Sequence, residues 1–62
     1  MKNTLIEQLQ IYARGYYYAL ITGYPLDVHK RRVKRTIAKL RNIGVSREHI
    51  EDILSDVALS IC

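Results

Sequence analysis

From His29 to Arg41 the chain carries seven of its ten Lys and Arg residues and no acid. The chemistry such a run offers is neutralisation of an anionic surface. Spread along one helix, these side chains can pair with several phosphates and give salt-dependent, largely sequence-independent affinity for nucleic acid. No aromatic residue, Asn or Gln is interleaved in the run, so base-edge readout is not written into it. The candidate binding residues are Lys30, Arg31, Lys34, Arg35, Lys39 and Arg41. They serve an acidic protein surface equally well, and the plainest alternative is a solvated face on a helix that buries only one edge.

Residues of catalytic type give a weaker reading. His29 and His49 are far apart in sequence, Cys62 is the lone cysteine, and no H-E-x-x-H or C-x-x-C spacing supports a metal. Ser46 is accounted for by capping a helix, and a Ser46–His49 hydrolytic pair lacks an orienting acid. The three glycines form no phosphate loop. The expectation is a protein without enzymatic activity, cofactor, metal or small-molecule substrate.

A chain of 62 residues is a single domain, and one this short buries only about 60% of the surface its unfolded chain exposes. Small scaffolds add disulfides, a metal or a partner subunit. With one cysteine, self-association is the remaining aid, and a homodimer is expected. Hydrophobic residues make up 48% of the chain, with three Gly and one Pro, a composition that folds. The lone cysteine favours a reducing, cytoplasmic setting. Glu7, Gln8, Gln10 and Arg14 interrupt any signal-peptide core, and the longest apolar stretch, Tyr16 to Ile21, is far short of the roughly 20 residues that span a bilayer. No membrane role is expected.

The net charge of +4 is unevenly distributed. Lys30 to Arg41 is strongly basic, whereas Arg47 to Asp56 sets one Arg against Glu48, Glu51, Asp52 and Asp56. This points to an acidic partner or to pairing between basic and acidic helices within an assembly.

Three helices, over 4–22, 26–43 and 46–60, must position these groups. Thr4 and Glu7 have the form of a capping box that starts the first. Its apolar positions cover roughly 200° of the wheel, wider than the ~100° stripe one core contact needs, so it should meet more than one neighbour. Leu5, Leu9, Tyr12, Tyr16 and Ala19 repeat as a helix-pair seam, and Leu5, Leu9, Tyr12, Tyr16, Tyr17 and Leu20 are the expected core or dimer-interface residues. Gly15, near the middle, permits close approach or a bend. Tyr18 falls with Ile11 on the polar side.

Gly23 suits a left-handed cap and Pro25 ends the first helix. The second begins with Pro25 in its first turn and Asp27 near its positive end, or with Asp27 as N-cap. Val33, Ile37 and Leu40, with Leu26 leading and Ile43 trailing, form its narrow apolar stripe. Gly44 stops it, Ser46 caps the third helix, and Val45 and Ile50 have the spacing of a hydrophobic staple. Ile50, Ile53, Leu54, Val57 and Ile61 then form one apolar face.

Leu40 to Ile50 resembles a helix-turn-helix, with Gly in the turn, Val and Ser after it and Ile six residues on. It departs from that pattern in its bulky Leu40 and in Glu48, Glu51 and Asp52, which have the wrong sign for a recognition helix. The second helix is therefore the expected contact with any nucleic acid. Tyr12-Ala13-Arg14-Gly15-Tyr16-Tyr17-Tyr18-Ala19-Leu20 resembles a stretch found in small accessory proteins of temperate lambdoid bacteriophages. That resemblance implies a helical early product acting in the host cytoplasm on phage development or host physiology. The combined expectation is an all-α three-helix bundle completed by homodimerisation. It would act as a regulatory or accessory module that binds a host or phage protein, with nucleic acid as the alternative partner.

Overall fold

Two left-handed glycines divide the backbone into three helices. The computed structural model, which describes residues 2–61, contains α1 (Lys2–Thr22), α2 (Asp27–Asn42) and α3 (Arg47–Ile61), with no strand among the described residues. Cys62, read above as a lone thiol, lies outside the described residues.

Each turn follows from its local chemistry. Gly23 has φ 81° and Gly44 φ 94°, a region open to glycine because it has no β-carbon. After α1 the amides of Gly23 and Tyr24 both donate to the Ala19 carbonyl, at 2.9 and 3.0 Å. After α2 the Gly44 amide donates to the Arg41 carbonyl and the Val45 amide to the Leu40 carbonyl, each at 3.1 Å. The bonds after α2 are the pair of a Schellman motif, those after α1 converge on one carbonyl, and both sets satisfy acceptors that the helix end would otherwise leave bare. Ser46 Oγ then accepts from the His49 amide at 3.2 Å, so the expected cap is present. Val45 and Ile50 on either side of it belong to one buried cluster, as a staple requires.

Two expected helix starts need correction. α1 already runs from Lys2, so Thr4 and Glu7 lie inside its first turns, where Thr4 lacks the non-helical backbone of an N-cap. At α2 the N-cap is Leu26, without a side-chain cap bond. Asp27 is the first helical residue, placed to interact with the positive helix end, and Pro25 stays outside the helix.

α1 is the middle element. It packs against both α2 and α3, which touch each other only slightly. Its wide apolar arc therefore serves two neighbours within one chain. Leu9 and Leu40 are fully buried, and with Val45, Ile50 and Ile53 they form the core; Leu5, Ile6, Val33, Ile37 and Leu54 pack against it. Ala13, Ala19 and Val57 are also buried. The α3 face matches expectation. On α2 the inward line also includes half-buried His29 and buried Thr36, while Ile43 is exposed. Thr36 Oγ1 donates to the Arg32 carbonyl at 2.9 Å, so the buried hydroxyl is satisfied.

Candidate functional site

The turn at 23–26 reverses the chain, and α1 and α2 run antiparallel. A β-carbon built on Gly15 would stand 3.2 Å from His29 Nδ1, and Arg32 Cζ lies 5.9 Å from the centre of the Tyr12 ring. Moving back along α1 thus means moving forward along α2. Gly15 is the residue that permits close approach here, since any side chain would press on the imidazole.

All seven cations of the basic run are exposed. Of the candidate residues, Lys30, Arg31, Lys34, Arg35, Lys39 and Arg41 share the solvent side of α2. The acids of α3 do not neutralise them: among the described residues the one ion pair is Arg47 with Glu51, 3.1 Å apart within α3 itself. Pairing of basic and acidic helices therefore does not occur inside the chain. The field of α2 stays open to an external anion.

The antiparallel register also produces a site that the basic run by itself does not suggest. Ala13, Tyr16 and Tyr17 of α1, Lys30, Val33 and Lys34 of α2 and Leu54 of α3 line a cleft of about 210 Å³. Its lining is almost wholly apolar, and Lys30 and Lys34 form part of its α2 side. The rings of Tyr16 and Tyr17 are 5.6 Å apart with an interplanar angle of 73°, an edge-to-face pair. Asp27, Arg31 and again Lys30 and Lys34 line an adjoining depression of about 330 Å³, so cationic surface continues outward from the cleft. Sequence periodicity assigns the tyrosines and the cations to different helices, and only the packing of those helices places them together. The one sequence signal was Gly15, which allows that approach.

A wider groove of about 690 Å³ lies toward the opposite ends of α1 and α2, lined by Thr4, Leu5, Gln8, Lys39, Asn42 and Ile43. It brings Lys39 near the start of α1. Arg41 is exposed but lines neither of the Lys30 cavities.

The expected core or interface residues of α1 separate into three groups. Leu9 is in the core, Leu5, Tyr12, Tyr16 and Tyr17 are half-buried against the bundle, and Leu20 is 50% exposed. With Ile21, Tyr24 and Val28, Leu20 leaves apolar surface around the α1–α2 turn. Tyr18 and Ile11 are exposed, as the helical wheel requires.

Among the described residues no three His, Asp or Glu side chains gather where a metal ion could be held. No helix is long and apolar enough to cross a membrane among those same residues. Comparison with protein-family models, with curated proteins and with solved structures finds no match for this chain.

Proposed function

We propose that this is a non-enzymatic regulatory or accessory protein that binds nucleic acid through the outer face of α2. The observation that carries the reading is the shared cleft of Tyr16 and Tyr17 with Lys30 and Lys34, at the edge of a cationic face that no carboxylate of α3 pairs with. Cations supply attraction to phosphates, and aromatic rings supply stacking surface for bases. The basic run by itself has no interleaved aromatics. Packing against α1 supplies them.

Binding to labelled oligonucleotides across a series of salt concentrations tests this. The logarithm of affinity should fall linearly with the logarithm of salt concentration, and Lys34→Glu should weaken binding and flatten the slope by at least about 1. Absence of binding at low salt ends the reading.

A host or phage protein with an acidic surface is the second reading, supported by exposed Leu20, Ile21, Tyr24 and Val28 beside the cations. Such mixed surfaces suit protein partners. The same patch supports the proposed homodimer, with the acidic face of α3 in one subunit against the α2 cations of the other. Sedimentation at high micromolar concentration decides it, since a monomer there removes the dimer. The Tyr12–Leu20 stretch supports a phage-type accessory role in the host cytoplasm. An affinity capture from host extract with and without nuclease separates a protein partner from a nucleic-acid bridge.

A further inference from the structure

The cationic face alone attracts the phosphates of any nucleic acid, those of the denser duplex more strongly, and has no means of selecting exposed bases. We propose that the cleft between Tyr16, Tyr17, Lys30 and Lys34 takes one unstacked base of a single-stranded nucleic acid, so that the protein prefers single strands to duplex. This rests on the nucleic-acid reading above.

Size, shape and charge each narrow the occupant. At about 210 Å³ the cleft is below the ~300 Å³ at which pockets for larger small molecules begin. It suits a single planar ring system. The lining from Ala13, Val33 and Leu54 is apolar, and would accept the face of a base. Tyr16 and Tyr17 meet edge to face at 73°. Rings so arranged do not spend both faces on each other, and leave π surface for a guest.

Lys30 and Lys34 line both the cleft and the adjoining depression, which Arg31 and Asp27 complete. Three cations against one carboxylate leave that depression net positive, so a phosphate next to the inserted base would meet a cationic surface. In a duplex the bases are paired and stacked, and one reaches such a cleft only at the cost of opening the helix. In a single strand it is already free to stack on an aromatic ring. An acidic peptide would meet the charges, yet its carboxylates give the apolar lining nothing to bury.

The chain has five Tyr and no Trp, and two of the five line the cleft, so tyrosine emission includes the site. The experiment compares an unlabelled 12-mer single strand, as DNA and as RNA, with a duplex and with an abasic strand of equal phosphate number, read by tyrosine fluorescence and by competition against a labelled strand. The base-bearing strand should bind roughly tenfold or more tighter than the abasic strand, the order expected for one stacked base, and quench tyrosine emission. Tyr17→Leu should abolish that preference and Tyr17→Phe should keep it, with circular dichroism confirming the helices. The DNA and RNA arms identify which sugar is accepted.

Equal binding of base-bearing and abasic strands by the unaltered protein overturns the inference while leaving the nucleic-acid reading intact, and needs no variant to fold. Preference for duplex overturns it likewise. Polyglutamate that displaces the labelled strand as well as an unlabelled strand does overturns it in favour of an acidic peptide. Failure of every oligonucleotide at low salt overturns both readings.

Discussion

Gly15 of α1 faces His29 of α2 across a tight contact: a β-carbon on the glycine would lie 3.2 Å from the imidazole Nδ1. A glycine inside a helix costs about 1 kcal/mol relative to Ala, and this position holds it because the facing ring occupies the volume. Gly15→Ala should consequently be near neutral, its helical gain offset by displacement of His29. In a His29→Ala background the same change should stabilise by about 1 kcal/mol. Urea denaturation of the four proteins of this cycle measures the coupling, and additive effects would show that the ring does not constrain the glycine.

Leu9 and Leu20 lie on the same helix and were grouped together by periodicity, yet their surroundings differ. Leu9 is 0% exposed and Leu20 is 50% exposed. Leu9→Ala should cost roughly 2 to 5 kcal/mol, enough to unfold much of a domain this small. Leu20→Ala should cost well under half of that in the monomer. If the α1–α2 end is a dimer surface, the loss for Leu20→Ala should grow with protein concentration, whereas a concentration-independent melt excludes Leu20 from any dimer contact.

The turn between α2 and α3 concentrates its stability in two residues. Gly44→Ala places a β-carbon at φ 94° and should cost about 1 to 2 kcal/mol; nothing crowds the site, with no atom within 4 Å of a β-carbon there, so the whole effect is conformational. Ser46→Ala removes the acceptor for the His49 amide and should cost about 1 kcal/mol. Ser46→Asp should recover it in thermal melts, because an Asp keeps the acceptor and adds charge at the positive helix end.

That turn was legible because everything it needs is local: glycine, staple and cap lie within seven residues. The same locality misleads at Thr4 and Glu7, whose spacing fits a capping box but does not prevent Lys2 and Asn3 from being helical. Periodicity located Leu9, Val33, Leu40, Ile50, Ile53 and Val57 on inward faces. It missed His29 and Thr36, because polar side chains at inward positions read as surface until a glycine opposite, or a backbone carbonyl one turn back, accounts for them. The cleft was the least legible feature. Tyr16 and Tyr17 reach Lys30 and Lys34 only through the antiparallel register of two helices, a relationship that no single helix encodes.

The basic run itself should work against the fold that carries it. Arg31, Arg35 and Lys39 are exposed and follow one another at four-residue intervals, so Arg35 repels a like charge on each side along α2. Such pairs destabilise a helix by roughly 0.2 to 0.5 kcal/mol each, and opposite pairs stabilise by as much. Arg35→Glu converts both contacts from repulsive to attractive. It should raise stability by about 1 kcal/mol at low ionic strength, with the gain shrinking as salt screens the pairs. The same substitution should weaken binding of an anionic partner. Thermal melts and oligonucleotide titrations on one preparation would follow both quantities, and opposite signs would mean that the run is maintained for its ligand and not for the helix. A loss of stability in Arg35→Glu would instead give Arg35 a structural role and weaken the assignment of this face to binding.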